Sequence, residues 1–73
     1  MEEKILIIIN GIRKAKDLSE LSAINLSDTL RDDIGFTSFD LAELTVRIED
    51  EFDIDIFEDG LVNTVGEIIE KLR

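Results

Sequence analysis

Seventy-three residues make one small domain, because so short a chain buries only about 60% of its unfolded surface and cannot support two cores. Eighteen acidic against eight basic residues leave a net charge of −10, which repels nucleic-acid backbones and anionic lipid. The 44% hydrophobic content is too high for an acidic disordered tail, and the absence of cysteine and histidine removes disulfides, thiol nucleophiles, imidazole bases and His/Cys zinc sites.

The opening segment from Glu2 to Lys16 satisfies two periods at once. Ile5, Ile7 and Ile9 alternate as in a strand, whereas Ile5, Ile8, Ile9 and Ile12 follow i, i+3, i+4, i+7. Asn10-Gly11 resembles a hairpin turn, but no alternating partner strand follows it. A helix is therefore predicted, with Glu2 and Glu3 at its positive end and Arg13, Lys14 and Lys16 at its negative end. The apolar run Ile5 to Ile9 is far below the ~20 residues of a membrane span, and it follows acids where a secretory signal carries bases. A cytoplasmic chain without membrane insertion is expected.

From Asp17 to Thr37, polar residues alternate with Leu18, Leu21, Ile24, Leu26, Leu30 and Ile34, which predicts a long loop pinned by apolar anchors, with a short turn at Ser27 to Arg31. Ser38 to Phe52 is the clearest helix, with Leu41, Leu44, Ile48 and Phe52 on one stripe. Thr37 and Asp40 form a capping box at its start, and Ser38 is the neighbouring candidate cap. Asp53 to Asn63 has room for one helical turn before a second box, Thr64 with Glu67, opens the last helix, whose Val65, Ile68, Ile69 and Leu72 face inward. The predicted fold is all-α: three longer amphipathic helices and one short helix in a four-helix bundle.

Asp53-x-Asp55 is not a calcium loop, since counting from Asp53 puts Glu58 where glycine is needed and Thr64 where the bidentate glutamate belongs. No metal ligands are predicted. Paired carboxylates for hydrolysis lack a cleft in so small a bundle, and no catalytic residues are assigned. Residues 38 to 59 nevertheless hold nine of the eighteen acids against one base, Arg47, a negative field that either steers a basic partner or keeps the chain in solution.

Gly35-Phe36-Thr37-Ser38-Phe39-Asp40-Leu41 joins a glycine turn to an acidic amphipathic helix with a serine at the junction, and here the chain resembles the acyl carrier protein family. That family has a hydrophobic loop ending in glycine, then Asp-Ser-Leu, an acidic helix running to Glu-Glu-Glu-Phe-Asp, a short third helix and a Thr-Val-Gly start to the fourth. Thr37-Ser38-Phe39, Glu49-Asp50-Glu51-Phe52-Asp53 and Thr64-Val65-Gly66 stand at the corresponding places, so the resemblance covers nearly the whole chain. It implies a carrier that is not an enzyme, with 4′-phosphopantetheine from coenzyme A esterified to Ser38 and flanked by Thr37 and Phe39. The arm would supply the thiol that a cysteine-free chain lacks, and a helix N-terminus suits the charge of its phosphodiester.

Thr37 replaces the family's aspartate, which helps the transferase hold magnesium and coenzyme A, so slow modification or a dedicated transferase is implied. Phe39 replaces the leucine, Phe57 stands where many members have proline, and Arg47 adds a positive charge to a mostly negative face. Together these imply a specialised carrier of acyl or aminoacyl groups in fatty acid, polyketide or related synthesis. The implied partners are a phosphopantetheinyl transferase and loading or transferring enzymes with basic patches. They would dock on Phe39, Asp40, Glu43, Val46, Arg47 and Asp50 of a monomer; by helical counting all of these but Phe39 share the broad face away from Ile48. The competing reading is an acidic helical module that binds or inhibits a basic protein while Ser38 stays unmodified.

Overall fold

The computed structural model describes all 73 residues and contains three helices in chain order: α1 (Glu2–Ala15), α2 (Ser38–Phe52) and α3 (Val65–Leu72). In α1 the ambiguous isoleucines adopt the helical period: Ile5, Ile9 and Ile12 are buried, whereas Ile7, which a strand would have put beside Ile5 and Ile9, is 70% exposed. Asn10 is helical and its side-chain amide serves the following loop instead of a turn. Its Nδ2 donates to the Leu21 carbonyl (2.9 Å) and its Oδ1 accepts the Leu21 N–H (2.7 Å), the pair of bonds a strand neighbour would make. The helix ends where Asp17 takes a left-handed conformation (φ 63°), with the Leu18 N–H reaching back to the Arg13 carbonyl (2.9 Å).

The long loop is pinned as its composition predicts, but by fewer anchors. Leu30 and Ile34 are buried and Leu21 and Ile24 half-buried, while Leu18 and Leu26 remain exposed. Phe36 is buried as well. Backbone pairing completes the fastening: Leu30 donates to Asn63, Val65 to Asp28 and Gly66 to Leu26, around a single antiparallel bridge between Thr29 and Thr64. The last two of those bonds give loop carbonyls to the Val65 and Gly66 N–H groups that open α3, which otherwise have no partner within the helix. Gly66 permits the approach, since a Cβ there would lie 2.9 Å from the Leu26 carbonyl oxygen.

One expected element differs. The segment between Asp53 and Asn63 forms turns instead of a short fourth helix. Asp55 Oδ1 accepts the Phe57 N–H (2.9 Å), the Glu58 and Gly60 amides reach back only three residues, and Gly60 at φ 130° leaves the helical region. The segment still delivers Ile56 and Val62 to the core. That core is one cluster of fourteen residues, with α1 and α2 packed directly together and Val65, Ile68, Ile69 and Leu72 of α3 buried in it. An eight-residue helix is too short to be stable alone, so α3 exists through that burial and through its loop contacts.

Candidate functional site

Thr37 is the residue that caps α2, which decides between the two neighbouring candidates. Its backbone is extended (φ −88°, ψ 175°), its Oγ1 accepts the Asp40 N–H (3.3 Å), and Asp40 Oδ2 accepts the Thr37 N–H (2.8 Å) and hydroxyl (3.0 Å). Lys16, just past the end of α1, donates from Nζ to the same Oδ2 (2.5 Å) and to the Gly35 carbonyl (3.1 Å). A single carboxylate oxygen thus joins the end of α1 to the start of α2. The Lys16 ammonium chiefly, with the Thr37 N–H, holds the Asp40 carboxyl below its ordinary value of 3.8, against the opposing effect of burial.

Asp40 therefore departs from its expected place on the docking rim. It is only 7% exposed, because a carboxylate in the third position of a helix that reaches back to the cap turns toward the preceding chain, where Lys16 meets it. The other residues expected on that rim stay accessible in different degrees. Phe39 is 82% exposed and Val46 65%, and Glu43 and Asp50 are exposed. Arg47 is half-buried: its Nε donates to Glu43 Oε2 (2.9 Å) and its guanidinium lies over Gly11 of α1, where a Cβ would come within 2.8 Å of it.

Ser38, released from capping, is the first residue of α2 and is exposed. Its Oγ accepts a hydrogen bond from a guanidinium nitrogen of Arg31 (2.7 Å) on the preceding turn. The sequence places Lys16 only as charge at the end of the first helix and Arg31 only at the end of a short turn, and brings neither to the start of α2. Arg31 carried one countable signal: it and Arg47 are the sole bases between residues 17 and 70. The pairing of Lys16 with Asp40 carried none, since the two lie 24 residues apart.

Chemically this is a primary hydroxyl presented at a helix start, with a cation as its partner and its nearest capping carboxylate already accepting from Lys16 and Thr37. The chain has no imidazole or thiol to activate it. Such a hydroxyl can accept a group delivered with an external base but does not attack unaided. The donor set would suit a phosphodiester: Arg31 is a guanidinium at the Ser38 Oγ, and the Ser38 and Phe39 N–H groups are among those at the first turn that lack intrahelical acceptors. Beside Arg31 a cleft of about 160 Å³ opens between Leu30, Leu41 and Val62. No group of three or more acidic side chains converges in a metal-holding arrangement, and no helix is long and apolar enough to cross a membrane.

Comparison with known proteins gives the same picture. Residues 12–72 match the family model described as the phosphopantetheine attachment site. The chain is similar to an acyl carrier protein of Exiguobacterium sibiricum, 34% identical over 74 aligned positions that cover 99% of this chain and 94% of the relative. It is also similar to an acyl carrier protein of Trieres chinensis, 38% identical over 56 positions covering 74% of this chain and 70% of that protein. No solved structure matches at a comparable level of significance.

Proposed function

The chain belongs to the acyl carrier proteins of the phosphopantetheine-attachment family, and from that membership we propose that Ser38 bears the 4′-phosphopantetheine arm. The observation that carries the assignment is the separation of roles at the α2 start: Thr37 caps the helix, so the exposed Ser38 hydroxyl is spared for modification. Attachment forms an Oγ–P bond as the adenosine bisphosphate half of coenzyme A leaves. The hydroxyl proton passes to a base of the transferase, since the capping carboxylate of Asp40 is already occupied by Lys16 and Thr37. The arm supplies a thiol on which acyl or aminoacyl groups are held as thioesters.

In this reading the chain presents cargo and leaves catalysis to its partners, enzymes of fatty acid, polyketide or related synthesis with basic patches. Thr37 and Phe39 flank the arm. Phe39 and Val46 supply the apolar contact, rimmed by Glu43, Asp50 and the Glu43–Arg47 pair; buried Asp40 is not part of that surface. Exposed rim charges act mainly on encounter rate, so Glu43→Lys slows loading several-fold at low salt, with the deficit shrinking as salt rises.

Mass spectrometry after incubation with coenzyme A and a broadly tolerant transferase tests the site. Wild type gains one phosphopantetheine and Ser38→Ala gains none. A wild-type chain that stays unmodified favours an acidic interaction module instead, and modification of Ser38→Ala moves the site elsewhere.

A further inference from the structure

We propose that Arg31 is the positioning residue that grips the phosphodiester once the arm is on Ser38, fixing the base of the arm to the turn that precedes α2. The inference rests on the assignment of Ser38 as the attachment site, and three independent observations lead to it.

The first is distance. A guanidinium nitrogen of Arg31 stands 2.7 Å from the Ser38 Oγ, the atom that would bear phosphorus. The non-bridging phosphate oxygens lie two bonds beyond Oγ, within reach of the same guanidinium by side-chain rotation alone. A guanidinium offers five N–H donors in a planar fork that matches two phosphate oxygens at once, whereas the Ser38 hydroxyl accepts from one of them. The bond to Ser38 in the unmodified chain thus leaves most of the donor capacity of Arg31 unused.

The second is charge. Arg31 is followed by Asp32 and Asp33, yet it pairs with neither. Asp33 instead accepts the Thr29 N–H (2.8 Å) and hydroxyl (3.1 Å). By contrast Arg47, the other base of this long acidic stretch, is already paired with Glu43. A phosphodiester adds a negative charge to a chain already at −10, and Arg31 is the cation beside it that has no carboxylate partner.

The third is anchorage. Arg31 is exposed, but its backbone is not free to swing. Leu30 donates to the Asn63 carbonyl (2.8 Å), Phe36 donates to the Leu30 carbonyl (2.8 Å), and the Leu30 and Ile34 side chains on either side are buried. The guanidinium therefore starts from a fixed point, which lowers the ordering cost of holding an anion.

Phosphorus NMR on the modified protein tests this directly. In wild type the phosphodiester relaxes with the protein body. In Arg31→Gln its transverse relaxation rate falls roughly twofold, the scale for losing an exposed ion pair that biases populations a few-fold, while the backbone amide spectrum away from the turn is unchanged. Arg31→Lys recovers part of the effect, and Arg73→Gln, which removes the same charge at the far end of the chain, leaves the phosphorus signal as in wild type. Added salt brings wild type toward Arg31→Gln. Equal phosphorus relaxation in wild type and Arg31→Gln, with the arm shown by mass to be on Ser38, overturns the role of Arg31 and leaves the attachment site standing. A chain that accepts no arm on Ser38 overturns both.

Discussion

Two helix starts in this molecule are written with the same four-residue motif and serve different ends. Thr37 with Asp40 opens α2, and Thr64 with Glu67 opens α3; in each the threonine hydroxyl accepts the third N–H (3.3 and 3.2 Å) and the carboxylate accepts the cap N–H (2.8 and 3.1 Å). At α3 the next two amides are closed by the carbonyls of Asp28 and Leu26, and Glu67 stays exposed with no cation partner. At α2 the carboxylate is buried against Lys16, while the Ser38 hydroxyl stays at the surface. The α3 start is a structural junction. The α2 start is locked from within by the Asp40–Lys16 pair and open without at the Ser38 hydroxyl.

The largest effect that separates the two is truncation of the carboxylates. Asp40→Ala takes the carboxylate from the Lys16 ammonium, which keeps only the Gly35 carbonyl, and leaves the Thr37 N–H without its acceptor; urea denaturation should show a loss of about 2–4 kcal/mol, part of the full cost of breaking a buried pair because Lys16 is partly exposed. Glu67→Ala removes only an exposed capping contact and should lose about 0.5–1 kcal/mol. Equal losses would mean that the Lys16 contact adds nothing to the motif.

The next contrast uses the two helical glycines. Gly66→Ala pushes a methyl group against the Leu26 carbonyl, a backbone atom in the α3 junction, and should lower stability by about 1–3 kcal/mol. Gly11→Ala meets only the end of the Arg47 side chain, which can move, so helix propensity should prevail and raise stability by up to about 1 kcal/mol. The displaced Arg47 should then show an altered side-chain resonance. A destabilised Gly11→Ala would reveal that the Arg47 position is rigid.

A pH titration sharpens the comparison further. Because the carboxyl of Asp40 is held below its ordinary 3.8 in the folded chain, its contribution to stability is whole above the unfolded value and is lost as pH falls through the folded one. Acid unfolding of wild type should therefore carry a limb below about pH 4 that flattens in Lys16→Met, read by circular dichroism across a pH series. The smallest effect belongs to Ser38→Ala. With Thr37 as the cap, its thermal midpoint should stay close to wild type; a fall as large as that for Thr37→Ala would show that the serine also holds the helix end.

Much of this architecture was legible locally. Ser38 to Phe52 and both capping boxes follow from apolar spacing and cap residues within a few positions of one another. The opening isoleucines satisfy two periods, and the lack of a partner strand favours the helical one, with which the exposure of Ile7 agrees. The predicted short fourth helix did not form, because Asp55 and Gly60 satisfy the backbone as turns in a window too short for periodicity to speak. Asp40 lies off the exposed face that helical counting gives it, because counting at 100° per residue locates Cβ, not the reach of a side chain that bends back to cap its own helix.

Composition, spacing and capping chemistry thus determined that this chain is helical, where α2 and α3 begin, that an acidic face accompanies a junction serine, and that no residue of its own can serve as a thiol. These are properties of neighbours in sequence, and short-range geometry is enough to set them. Tertiary structure decided which way Asp40 faces, which cation meets it, and that Arg31 comes to Ser38. Those pairings depend on the route of the loop, held by the amide of Asn10 against Leu21 and by Leu30 against Asn63, contacts between positions that no local pattern connects.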